Sequence, residues 1–76
     1  MDLQDRIVVN PKILVGKPVI KGTRLAVEFI LELLAERWSH EQIIKSYPQL
    51  TQEDIWAVLQ YAAETIKQEK IYALPV

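Results

Sequence analysis

Seventy-six residues with a net charge of −1 are enough for one domain, and with half of them apolar and a quarter charged the chain is too hydrophobic to be disordered. The absence of cysteine excludes disulfides and thiolate metal sites and suits a reducing compartment. Apolar runs too short to span a bilayer, and a beginning that carries Asp2 and Asp5 without a secretion signal, leave the cytoplasm as the expected location.

In chain order, residues 1–25 read as short strands and turns. Residues 6–9 (Arg6-Ile7-Val8-Val9) are β-prone and stop at Asn10-Pro11, because the residue before proline is pushed away from helix. Residues 13–15 (Ile13-Leu14-Val15) are a second candidate strand, ended by Gly16-Lys17-Pro18, and Val19-Ile20 a third, closed by Gly22. Pro18 cannot donate to a ladder, so a strand there lies at an edge or begins at that residue.

A first helix is predicted over residues 26–36. Val27, Ile30, Leu31 and Leu34 recur at the spacing of one buried face, Phe29 and Leu33 widen it, and Glu28, Glu32 and Glu36 form the polar strip. So much apolar circumference in a small domain suggests that a second subunit covers part of it. The second helix starts at Ser39, where Gln42 three residues on completes a capping box and Trp38 and Ile43 can staple the entry; it stops at Tyr47 before Pro48. The third starts at Thr51, with Asp54 at its third position and Leu50 and Ile55 as the staple, and runs to about residue 70 along the stripe Ile55, Val58, Leu59, Ala62 and Ile66. Residues 71–76 form a short apolar tail. One domain over residues 1–76 is expected, mainly α, with three helices (residues 26–70) after a small N-terminal β element.

Side chains for catalysis do not assemble. Residues 16–23 superficially suggest a phosphate loop, but five residues separate the glycines, Thr23 stands where lysine is needed, and Pro18 removes an amide. His40 is the sole histidine and reads as a solvated residue in the first turn of its helix, not a metal ligand. The three glutamates of the first helix lack a nitrogen ligand or a matching helix and read as a solvated strip. No catalytic residue, metal site or cofactor is expected.

Charge and topology point to binding instead. Residues 1–26 carry Arg6, Lys12, Lys17, Lys21 and Arg24 against Asp2 and Asp5, five minus two or +3; residues 27–76 carry four basic against eight acidic side chains, or −4. A basic front and an acidic back suit two partners, one of them anionic. The second and third helices around Pro48-Gln49-Leu50 resemble a helix-turn-helix with the third helix in the reading position, where Gln52, Trp56 and Gln60 are the candidate DNA contacts. Glu53 and Asp54 oppose phosphates there, so Lys17, Lys21 and Arg24 are the better phosphate-contacting group.

Gly16-Lys17-Pro18-Val19-Ile20-Lys21-Gly22-Thr23-Arg24-Leu25-Ala26-Val27, followed by Trp38-Ser39, Tyr47-Pro48-Gln49-Leu50-Thr51, Glu53-Asp54-Ile55 and Tyr61-Ala62, resembles the domain-of-unknown-function family numbered 433 over about residues 6–66. The resemblance implies a homeodomain-like, three-helix core with a small β element. It also implies a role like VapB-type antitoxins of type II toxin–antitoxin systems, which neutralise a PIN-like ribonuclease and can repress their own operon. One departure is Arg37, which stands where the family carries glycine at the end of the first helix; a left-handed residue there costs about 1–2 kcal/mol. If a toxin is bound, Ile71, Tyr72, Leu74 and Val76 are the expected tail anchors.

The leading expectation is therefore an antitoxin-like module, a dimer that binds a PIN-like ribonuclease and in some settings operator DNA. The alternative is a self-associating structural or interaction module with no DNA role.

Overall fold

The computed structural model describes residues 3–68. A 3-10 turn, Leu3–Arg6, leads into β1 (Ile7–Val9), which pairs antiparallel with β2 (Pro18–Ile20): Ile7 faces Ile20, Val8 faces Val19 and Val9 faces Pro18. Proline thus opens the second strand, as a residue without an amide proton should.

The middle of the three expected strands does not form. Leu14–Gly16 is a 3-10 turn with left-handed backbone throughout, φ being 49° at Leu14, 57° at Val15 and 81° at Gly16. Branched side chains favour a strand locally, but residues 10–17 must reverse the chain so that β2 lies against β1, and that requirement wins. The reversal begins at Asn10, whose side-chain Oδ1 accepts the Lys12 amide at 2.9 Å while its carbonyl accepts the Ile13 amide at 2.8 Å.

A second turn joins the hairpin to α1 (Val27–Ala35). Gly22 supplies a φ of 81°, the Thr23 hydroxyl donates to the Ile20 carbonyl at 2.8 Å and accepts the Leu25 amide at 3.0 Å, and Ala26 bridges to Val19. With no capping side chain, α1 starts directly from that bridged residue. It ends at Arg37, which adopts φ 73°; the Trp38 amide donates to the Leu33 carbonyl and the Arg37 amide to that of Leu34, both at 3.0 Å. These two bonds are a Schellman termination built on arginine where glycine is usual.

The next two helices begin as their caps dictate. For α2 (His40–Ser46), the Ser39 hydroxyl accepts the Gln42 amide at 3.0 Å and the Gln42 side chain accepts the Ser39 amide at 2.7 Å. For α3 (Gln52–Gln68), Thr51 accepts the Asp54 amide at 3.2 Å and the Asp54 carboxylate accepts the Thr51 amide at 2.9 Å. Both are reciprocal boxes, and Pro48 keeps the two helices separate.

Ile20, Val27, Ile30, Leu33, Ile43, Leu50, Ile55 and Val58 form the shared core. Phe29 and Tyr47 meet edge to face beside it, ring centroids 5.6 Å apart. The buried faces differ from those the spacing predicts. Leu33 is buried on α1 while Leu31 and Leu34 are half-buried, so one chain already covers much of that helix. On α3 the buried residues are Asp54, Ile55, Ala57 and Val58, while Leu59 and Ile66 are exposed. The N-terminal segment accounts for the difference: the 3-10 turn Leu3–Arg6 and β1 pack on α3, with Arg6 paired to Asp54, and the buried face takes in Asp54 and Ala57.

Candidate interaction surface

Two of the residues expected to contact DNA, Lys17 and Gln52, are engaged within the chain. Lys17 follows the left-handed turn and donates to the Glu28 carboxylate of α1 at 2.6 Å, with both side chains exposed. That hydrogen bond, and then the charge of Glu28, raise Lys17 above the usual lysine value of 10.5. Lys21 shares a polar hollow with Asp5, Arg6 and Asp54, so its charge sits among carboxylates. Arg24 is exposed and makes no ion pair among the described residues. Of the five basic residues of the front, Arg6 and Lys17 are thus paired with the chain's own acids.

On α3, Gln52 is half-buried, and its side-chain nitrogen lies 2.6 Å from His40 Nδ1. A side-chain amide nitrogen can only donate, so Nδ1 is the acceptor in this contact. His40 is thus not the solvated residue expected, nor is Gln52 a free reader of bases. Trp56 and Gln60 are exposed as expected. Asp54 does not repel an approaching phosphate: its side chain is 9 % exposed, caps Thr51, and accepts from Arg6 at 3.1 Å. Glu53 remains half-exposed in the same turn. The proposed tail anchors Ile71, Tyr72, Leu74 and Val76 lie outside the described residues.

The signature residues are mostly consumed by folding. Gly16 and Gly22 hold left-handed turns, Pro18 opens β2, Thr23 bridges the turn into α1, and Ser39, Thr51 and Asp54 cap helices. None of these is left to bind a phosphate, and of the first motif only Lys21 and Arg24 project basic groups without a dedicated carboxylate partner at salt-bridge distance.

What sequence spacing did not reveal is an apolar cleft of about 310 Å³ between α1 and the C-terminal half of α3. Pro18, Val27, Leu31, Tyr61, Ala62 and Ile66 are among the residues lining it, with the Lys17–Glu28 pair at its rim. No group of three or more His, Cys, Asp or Glu suited to a metal occurs among the described residues, and no helix there is long and apolar enough to cross a membrane.

A family described as "Protein of unknown function (DUF433)" matches residues 7–62, most of the chain, from β1 to just past the middle of α3. The chain belongs to the DUF433 family. Its fold is also similar to the crystal structure of a DUF433 member protein from Anabaena variabilis, with a TM-score of 0.78 and 27% identity. That likeness covers 87% of this chain and 65% of the other, so this chain spans just under two thirds of its neighbour's length. No curated protein matches it. The DUF433 match ends at residue 62, inside the stretch of α3 that walls the cleft, so Thr65 and Ile66 lie beyond it.

Proposed function

We propose that this DUF433 chain is a non-catalytic, antitoxin-like binding module of a type II toxin–antitoxin system, whose partner is a PIN-like ribonuclease. The observation that carries this reading is the apolar cleft between α1 and α3, open to solvent at the edge of the core, with Val27 shared by both. An open apolar hollow with an ion pair at its rim suits an apolar side chain of a protein partner, the rim giving orientation. The nature of that partner rests on the family resemblance, not on the cleft. The apolar tail at residues 71–76 would extend the contact.

Operator DNA is the weaker half of the reading. Lys17 and Gln52 are engaged within the chain, which leaves Lys21 and Arg24 as the phosphate contacts and Trp56 and Gln60 on α3 as the remaining candidates for the groove. Two contacts predict a shallow salt dependence, a slope of roughly −2 in log K against log salt.

The test is co-expression with the nuclease encoded beside the gene, followed by co-purification and an RNA-cleavage assay. Capture and inhibition are expected, and Leu31→Glu in the cleft wall should abolish both while helical circular dichroism is retained. Failure of the wild-type chain to bind or inhibit that nuclease would overturn the reading.

A further inference from the structure

The third helix carries an apolar face that the fold does not use. Trp56, Leu59 and Ile66 are 50%, 41% and 57% exposed, and Ala63 between them is exposed too. Their spacing of three, four and three residues makes a narrow seam along one side of the helix, the a and d positions of a heptad. A seam of this kind buries itself against another helix, not in a globular core.

Its polar edge says which helix. Glu53, Gln60 and Lys67 recur every seven residues beside the seam, acidic, neutral and basic in turn. We propose that α3 pairs antiparallel with α3 of a second copy of this chain, about a two-fold axis that passes between the levels of residues 60 and 61. That axis sets Glu53 of each copy against Lys67 of the other, and brings the two Gln60 amides together. Along the seam, Trp56 then faces Ile66 and Leu59 faces Ala63, so the small residue admits the large one. A parallel pair would set Glu53 level with Glu53 and Lys67 level with Lys67, losing both attractions. Among the described residues Lys67 pairs with Glu64 alone, at 3.8 Å and largely exposed, a weak contact that leaves it available. The dimer covers Trp56 and Gln60, so in this state α3 does not present them to a DNA groove. The seam shares Ile66 with the cleft, but Tyr61, Ala62 and Thr65, the other α3 residues of the cleft wall, are not part of it, so the dimer can be tested apart from the nuclease reading.

The experiment is sedimentation equilibrium on the full chain over a range of concentrations, with helical circular dichroism as the control for folding. A reversible dimer with a micromolar dissociation constant is expected, because two helices of this length bury less than a standard-size interface. Ala63→Glu, at a position exposed in the single chain, should weaken dimerisation at least about tenfold with the helical signal unchanged. Glu53→Lys should also weaken it, and adding Lys67→Glu should restore it. A wild-type chain that stays monomeric at about 0.5 mM overturns the proposal and leaves residues 69–76 or a foreign chain to cover the seam. A dimer indifferent to Ala63→Glu, or a charge swap that fails to restore association, overturns it equally. An Ala63→Glu chain that is monomeric yet still captures the nuclease separates this proposal from the preceding one.

Discussion

Arg37 holds a left-handed conformation that an L-residue with a Cβ adopts reluctantly, at a cost of about 1–2 kcal/mol. It persists because two backbone bonds of the helix terminus and the packing of Trp38 on the core fix the turn around it. Arg37→Gly should therefore raise stability by about 1 kcal/mol, net of the extra freedom glycine gives the unfolded chain, and Arg37→Ala should be near neutral. Urea denaturation of the three proteins checks this; equal gains from glycine and alanine would point to charge, not backbone, as the cause. Val15 is the harsher case, branched at Cβ, at φ 57°, and 95% exposed. Lys17 offers a titration test. Its hydrogen bond to Glu28 raises its pKa, so the pair's contribution is present at neutral pH and is lost as pH rises through the raised value. Glu28→Gln should return Lys17 toward 10.5, followed by NMR at the Lys17 side-chain carbon beside the amine.

The caps decide where the helices lie, and one of them also ties the ends of the fold together. Asp54 satisfies the Thr51 amide with one carboxylate oxygen and Arg6 with the other, joining the start of α3 to the turn before β1 across 48 residues of sequence. Removing it takes one partner from an arginine only 29% exposed and leaves the Thr51 amide without its cap. Asp54→Ala is expected to destabilise the chain by about 2–3 kcal/mol, the buried-pair penalty being reduced by the partial exposure of Arg6. Ser39→Ala, in an exposed box, should cost only about 1 kcal/mol. Chemical denaturation of both variants gives the order; a larger loss at Ser39 would contradict the double role assigned to Asp54. The Gly-Thr-Arg turn belongs to the same scale, because Gly22 and Thr23 close the link from β2 to α1 with their own backbone and hydroxyl bonds.

A chain of this length has roughly 4–11 kcal/mol of stability in hand. Ile30, fully buried in the cluster that joins β2 to all three helices, is where that margin is most vulnerable. Ile30→Ala is expected to remove about 2–5 kcal/mol and lower the melting temperature by more than about 10 °C, read by thermal circular dichroism. The molecule then presents two apolar surfaces at its periphery, the cleft and the α3 seam, meeting at Ile66. Together they fit a protein that works by being covered.

The helix starts were legible in the sequence because capping is local: Ser39 with Gln42 and Thr51 with Asp54 are bonds between residues three apart, and Pro48 bars continuation whatever surrounds it. The outer strands were legible for the same reason, bounded by proline and glycine. Residues 13–15 were not, because strand propensity says nothing of where the chain must turn back. Nor were Leu59, Ile66, Gln52 and Lys17. An apolar side chain at helical spacing looks the same whether it faces its own core or another molecule, and a polar one looks free until its partner arrives from a distant element. Which face of α3 is buried was settled by the packing of the N-terminal segment on it, a contact between opposite ends of the chain that no local pattern encodes.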